Sequence, residues 1–215
     1  MTKRPAHSPA HSAPSGADDT DPHQQPGSLA DCRRCDLWRN ATQPVPGAGG
    51  APARLMLVGE QPGDKEDQAG LPFVGPAGQL LDAVLEAAGI GREMVYVTNA
   101  VKHFKWELRG KRRLHKTPAQ REVEACAYWL ERELAHVKPK VVVALGATAL
   151  RAVLHDPHAR LNAHMERTTH AGGLAVLATW HPSYVLRAPD PDARERARAQ
   201  MVEVLRRAHA LMSGH

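Results

Sequence analysis

The chain has 215 residues, a formal net charge of +5, 42% hydrophobic residues and three cysteines. That length suits one compact domain able to bury a core without disulfides or metals, and no apolar run is long enough to predict a transmembrane helix. The basic balance favours a polyanionic partner such as nucleic acid, and an odd cysteine count argues against a purely disulfide framework.

Residues 1–27 are rich in Pro, Ser, His, Asp and Gln and lack the apolar stretch of a secretory signal. They carry too little apolar surface to offset chain entropy, so they are expected to form a disordered tail ahead of one domain over 28–215. With no export signal, the protein is expected in the reducing cytoplasm, as a monomer.

A short cysteine segment (31–38) and a Pro/Gly-rich stretch (44–52) lead to residues 54–58 (RLMLV), an apolar run ending at Gly59 that predicts a buried strand. Gly75-Pro76 starts a helix carrying Leu80, Leu81, Val84, Leu85 and Ala88 at helical spacing, and Gly89 stops it. Residues 94–98 (MVYVT) predict a second strand. Thr117-Pro118 opens a helix whose apolar stripe is Val123, Cys126, Ala127, Leu130 and Leu134. Residues 140–145 (KVVVAL) form the clearest strand, and Gly146 starts a helix to about Leu154. A fourth strand is expected over 174–179 and a terminal helix over 192–212. Alternating strands and helices predict an α/β fold: three layers, α/β/α, around a central four-stranded parallel sheet. Ligands of such sheets bind at the carboxyl ends of the strands. Three polar segments fall there: 59–64, 99–102 and 181–183.

These segments carry a resemblance. Gly59-Glu60-Gln61-Pro62-Gly63-Asp64 with Gly70-Leu71-Pro72-Phe73-Val74-Gly75-Pro76-Ala77-Gly78 resembles the first motif of the uracil-DNA glycosylase superfamily. Val97-Thr98-Asn99-Ala100-Val101-Lys102 resembles its central motif and His181-Pro182-Ser183 its last. Lys111-Arg112-Arg113-Leu114-His115 resembles the signature loop of the type X members, with Leu114 where their familiar form has Ile, a swap that keeps volume and polarity. Gln61 also fits type X, whereas the related iron–sulfur glycosylases usually have Ala there. The resemblance implies a uracil-DNA glycosylase-like domain acting in base excision repair. It further implies excision of uracil from DNA, preferentially single-stranded, followed by a covalent bond to the DNA.

The chemistry asks for an anion near C1′, a donor at the uracil oxygen and a pocket that reads the base edge. Under the resemblance, Glu60 supplies the anion or a base, and Asp64 supports the loop or positions water. Phe73 stacks on the base, Asn99 pairs with uracil through its amide, and Gly59 and Gln61 line the base site. His181 donates to uracil O2. His115 is expected to be the nucleophile, oriented and activated by Glu60, because a neutral imidazole attacks well when a carboxylate accepts its other proton. Lys102, Lys111, Arg112 and Ser183 are expected on the DNA, and Arg113 near the substrate, with a hydrogen bond holding the loop as its other role, in a basic stretch that also contains Phe104 and Trp106.

Cys32-x-x-Cys35 has metal-ligand spacing, and Cys126 lies on a helix. Thiolates so spaced suit an iron–sulfur cluster or zinc. Related iron–sulfur glycosylases have a Cys where this chain has His103. That comparison implies a [4Fe-4S] cluster on Cys32, Cys35, His103 and Cys126, with a Cys₃His zinc site as the alternative. Cys126 also reads as a free buried thiol. Two other functions stay open: an ordinary turnover uracil-DNA glycosylase, and a non-enzymatic metal-bearing module that binds DNA through the basic loop.

Overall fold

The computed structural model describes residues 20–213. Four parallel strands form the centre of the sheet: β1 (Leu55–Gly59), β2 (Val95–Asn99), β5 (Val141–Leu145) and β7 (Leu174–Thr179). Their order is β2-β1-β5-β7, and a fifth strand, β6 (Thr169–Ala171), pairs antiparallel with β7 at the edge. The sheet is therefore five-stranded rather than four-stranded. β6 escapes the sequence pattern because it is three residues long and half exposed.

The central strands read as unbroken apolar runs because both faces are covered. Leu55 and Leu57 of β1 and Val141 and Val143 of β5 pack with α2 (Pro76–Ala87) and α6 (Pro191–Ser213). Met56 and Val58 with Val142 and Ala144 face α3 (Gln120–Val137) and α4 (Ala147–Leu154). The third helix begins three residues after Thr117, since residues 117–119 are not helical.

Three features were not foreseen. A short helix, α1 (Asp64–Ala69), follows β1, and another, α5 (Pro182–Leu186), follows β7. Residues between β2 and α3 form a separate hairpin, β3 (Trp106–Arg109) and β4 (Arg112–His115), with Gly110 at φ +61 in its two-residue turn. Residues 20–27, expected within the tail, are bonded to the cysteine segment: Asp21 N–H donates to Arg33 O at 2.9 Å, and Arg33 N–H to the Gln24 side chain at 2.7 Å. The rest of the expected tail, 1–19, lies outside the described residues.

Chain order places β2 on one side of β1 and β5 on the other. The connections leave in opposite directions at this point, which opens a crevice past the carboxyl ends of β1 and β5.

Candidate active site

Glu60 stands at the mouth of that crevice, directly after β1. Its two carboxylate oxygens have different partners. Thr148, in the first turn of α4, donates its hydroxyl to Oε2 at 2.5 Å. Oε1 faces Nε2 of His115 at 3.2 Å. Burial by itself would raise the Glu60 pKa, but the bonds from His115 and Thr148 outweigh it and hold the group below its usual value. The carboxylate is thus ionised with both oxygens engaged, one across the strand switch point and one across to the hairpin.

A two-stranded hairpin has little stability of its own, so the position of His115 depends on how the hairpin is tied down. Gln61, next to Glu60, does this with one side-chain amide. Its Nε2 donates to Lys105 O and Lys116 O, both at 3.1 Å, and its Oε1 accepts from Lys105 N–H at 3.1 Å. These two residues flank the hairpin, so the amide closes its open end. Gln61 also borders a small cleft with Phe73, Asn99 and His181, but its hydrogen-bonding groups are committed to the loop. Arg113 holds the other side. Its Nε donates to Asp64 Oδ1 at 2.6 Å and one terminal nitrogen to Asp67 Oδ2 at 2.7 Å. Its guanidinium also lies 5.5 Å from the ring centres of Phe104 and Trp106. Arg113 and Asp64, expected at the substrate and in catalysis, here form the clamp between β4 and α1. Lys105 pairs with Glu122 at 2.8 Å, and Trp106 Nε1 donates to Asn40 O at 2.9 Å.

This cleft, beside the Glu60–His115 pair, has a volume of about 60 Å³ and is bordered by Gln61, Phe73, Asn99, His115, His181 and Ser183. Phe73 is buried at φ +56, and its ring lies 6.2 Å from that of His181. Gly59 makes the close approach possible: a Cβ there would sit 2.4 Å from Asn99 Oδ1 and 2.7 Å from the Phe73 ring. Ser183 N–H donates to His181 Nδ1 at 3.1 Å, which leaves the ring proton on Nε2. Burial pushes the His181 pKa down to about 4, so this imidazole is neutral near pH 7 and donates through Nε2.

The basic residues divide sharply. Lys111 and Arg112 are exposed at the hairpin turn. Lys102, expected on the DNA, is fully buried. Its ammonium bonds Thr98 Oγ1 at 2.6 Å, Asn99 O at 2.7 Å and Glu133 Oε2 at 2.7 Å. A lysine buried with three partners cannot also reach a phosphate. Its work is to hold Asn99 from beneath.

Cys32 and Cys126 are buried and Cys35 is partly exposed, all as free thiols. The cysteines lie within electrostatic reach of one another. Burial, with smaller contributions from the neighbouring cysteines, raises Cys35 to about 11 and Cys126 to about 12. Lys102 N–H points at Cys126 Sγ at 3.3 Å, and His103, the next residue, is buried with its pKa pushed down to about 4 by burial and then by Arg33. Among the described residues, no three His, Cys, Asp or Glu side chains already stand together as metal ligands. No helix among them is long and apolar enough to cross a membrane.

Residues 46–206 match the uracil DNA glycosylase superfamily. The chain is similar to the type-4 uracil-DNA glycosylase of Thermotoga maritima, 39% identical over 157 residues that cover 73% of this chain and 78% of the relative. It is similar also to the type-4 uracil-DNA glycosylase of Archaeoglobus fulgidus, 35% identical over 75% of this chain and 81% of that one. A type-5 uracil-DNA glycosylase of Pyrobaculum aerophilum is 33% identical over 83% of this chain and 80% of its own length.

Proposed function

The chain belongs to the uracil DNA glycosylase superfamily, and from that premise we propose that it excises uracil from DNA and then remains joined to the abasic site through His115. The observation that carries the second half is the 3.2 Å approach of His115 Nε2 to Glu60 Oε1 beside the base cleft. The resemblance of the Lys111–His115 loop to the type X members supports it.

Uracil enters the cleft against Phe73, with its edge on the Asn99 amide. The bond between C1′ and uracil N1 breaks, and its electron pair leaves with the base. Neutral His181 donates Nε2–H to the oxygen where that charge collects. The ionised Glu60 steadies the cationic sugar. An imidazole nitrogen of His115 then bonds to C1′ while its Nε2 proton passes to Glu60 Oε1, and the departing uracil anion takes a proton from water. A nitrogen-linked imidazole is a poor leaving group, so the adduct persists. Lys111, Arg112 and Ser183 contact the DNA strand.

The donor set fits a [4Fe-4S] cluster by its chemistry: three thiols within electrostatic reach of one another, and a buried neutral imidazole one residue from the backbone N–H that meets Cys126. Cys32, Cys35, Cys126 and His103 would hold it. When bound, it supplies a crosslink between the cysteine segment and α3. Equal iron and sulfide in the purified protein supports this assignment, whereas zinc without iron replaces it with a Cys₃His site.

A second reading is a turnover enzyme in which Glu60 or water completes the reaction; the names of the relatives give uracil-DNA glycosylase alone. Mixing the protein with uracil-containing single-stranded DNA and resolving the products on a denaturing gel decides between them. A retained protein–DNA band, lost in His115→Ala, is expected. Free abasic DNA points to turnover, and unchanged DNA removes the glycosylase reading.

A further inference from the structure

We infer that Thr148 is a positioning residue that sets the orientation and basicity of Glu60 for His115, an inference that rests on the reaction just described. Two contacts on one carboxylate carry it. Its hydroxyl donates to Glu60 Oε2 at 2.5 Å, while His115 takes Oε1 of the same carboxylate. A carboxylate held at one oxygen cannot rotate freely, so Thr148 determines which oxygen faces the hairpin and at what angle.

The backbone places Thr148 for this contact. Gly146 precedes α4 at φ +92, a conformation that a side chain would strain, and donates its N–H to Thr179 O at 2.8 Å. A Cβ at Gly146 would come within 3.2 Å of His181 Cβ. The glycine turn therefore lets three strand ends share the crevice: β1 with Glu60, β5 with Thr148 and β7 with His181. α4 begins here, and the partial positive charge of its first turn adds to the hydroxyl in favouring an anion.

The acid–base consequence has a definite sign. The hydroxyl donates to the ionised carboxylate, so its removal makes Glu60 easier to protonate. The titratable groups facing Glu60 are His115 from β4 and His181 from the loop after β7, and both remain when Thr148 is changed. A protonated Glu60 can neither accept the His115 proton nor steady the cationic sugar. Loss of the hydroxyl should therefore cost most at acidic pH.

Thr148→Val keeps the shape and deletes the donor, while Thr148→Ser keeps the donor on a smaller side chain. At saturating DNA, Thr148→Val should slow adduct formation by on the order of 10-fold, the loss of one hydrogen bond to a charged group. The DNA concentration for half-saturation should hold, the acid limb of the rate profile should move to higher pH, and Thr148→Ser should restore both. Carboxylate titration followed by ¹³C NMR on the DNA-free protein gives a readout independent of adduct chemistry, with Glu60→Gln identifying the resonance. There the Glu60 midpoint should rise in Thr148→Val and return in Thr148→Ser. A wild-type midpoint in Thr148→Val overturns the inference, as does an equal loss of rate in both variants with an unmoved acid limb. Failure of the wild-type protein to form an adduct instead sinks the covalent reading and leaves the NMR result to decide on Thr148. Should Thr148→Val not fold, Thr148→Ala carries the same comparison.

Discussion

Replacing Gln61 with alanine should release the His115 hairpin while leaving the sheet intact. The side chain is buried and makes three hydrogen bonds, all to backbone groups of Lys105 and Lys116. At about 1 kcal/mol net for each bond, the lost fastening is about 3 kcal/mol. That corresponds to roughly a 150-fold fall in the equilibrium favouring the docked hairpin. Other ties remain, among them Arg113 to Asp64 and Asp67, Lys105 to Glu122, Trp106 to Asn40 and His115 to Glu60. They cap the effect, so the adduct rate should fall by about 10- to 100-fold. Uracil release should fall less, because Glu60, Asn99 and His181 do not sit on the hairpin. The assay pairs a time course of crosslinked DNA on denaturing gels with alkaline cleavage of free abasic sites. Amide hydrogen exchange over 105–116 reads the docking itself, and faster exchange there without change in β1 or β5 is expected. A Gln61→Ala protein with wild-type adduct rate and unchanged exchange would refute the idea that this amide positions the nucleophile.

Gly59→Ala should cripple uracil recognition, since the new methyl would overlap Asn99 Oδ1 and the Phe73 ring; an unchanged half-saturating DNA concentration would contradict that geometry. Lys102→Met should cost about 3–5 kcal/mol of unfolding free energy by stranding Glu133, yet leave the salt dependence of DNA binding alone. Lys111→Ala or Arg112→Ala should do the reverse, lowering the salt slope by about one at little cost in stability; equal slopes in all three variants would refute the division. Stability should fall as pH drops from about 6.5 to about 4. His181 keeps its proton off in the folded state until about pH 4, whereas the unfolded chain binds it near 6.5, so acid favours unfolding. Denaturant melts at pH 7 and pH 5 should show a smaller loss in His181→Gln than in the wild type, and equal losses would show that another group governs the slope.

The four parallel strands were legible because strands covered on both faces must be apolar throughout, and no other element of this length is. The same logic hides β6 and α1. Thr169–Ala171 is polar and survives through its pairing with β7. Asp64–Ala69 has no apolar stripe, and its buried Glu66 and Asp67 are held by Gly63, Gly75, Thr42 and Arg113. Glu60 and His115 could be nominated as partners from motif resemblance. Their separation of 3.2 Å depends on a hairpin that sequence presents only as a basic loop.

By itself, the sequence determined the layered α/β architecture, the crevice at the strand ends and the residue types that meet there. Periodicity and glycine placement are local properties, and they suffice for those conclusions. Only the tertiary structure decided which charges are free and which are spent. Lys102 looks like one more cation in a basic run until α3 brings Glu133 against it, and Arg113 looks like a substrate contact until α1 presents Asp64 and Asp67. Thr148 carries no signal in sequence at all, because it lies 88 residues from the carboxylate it holds. Electrostatic partners are chosen by distance in space, and that distance is set by packing across strands that lie far apart along the chain.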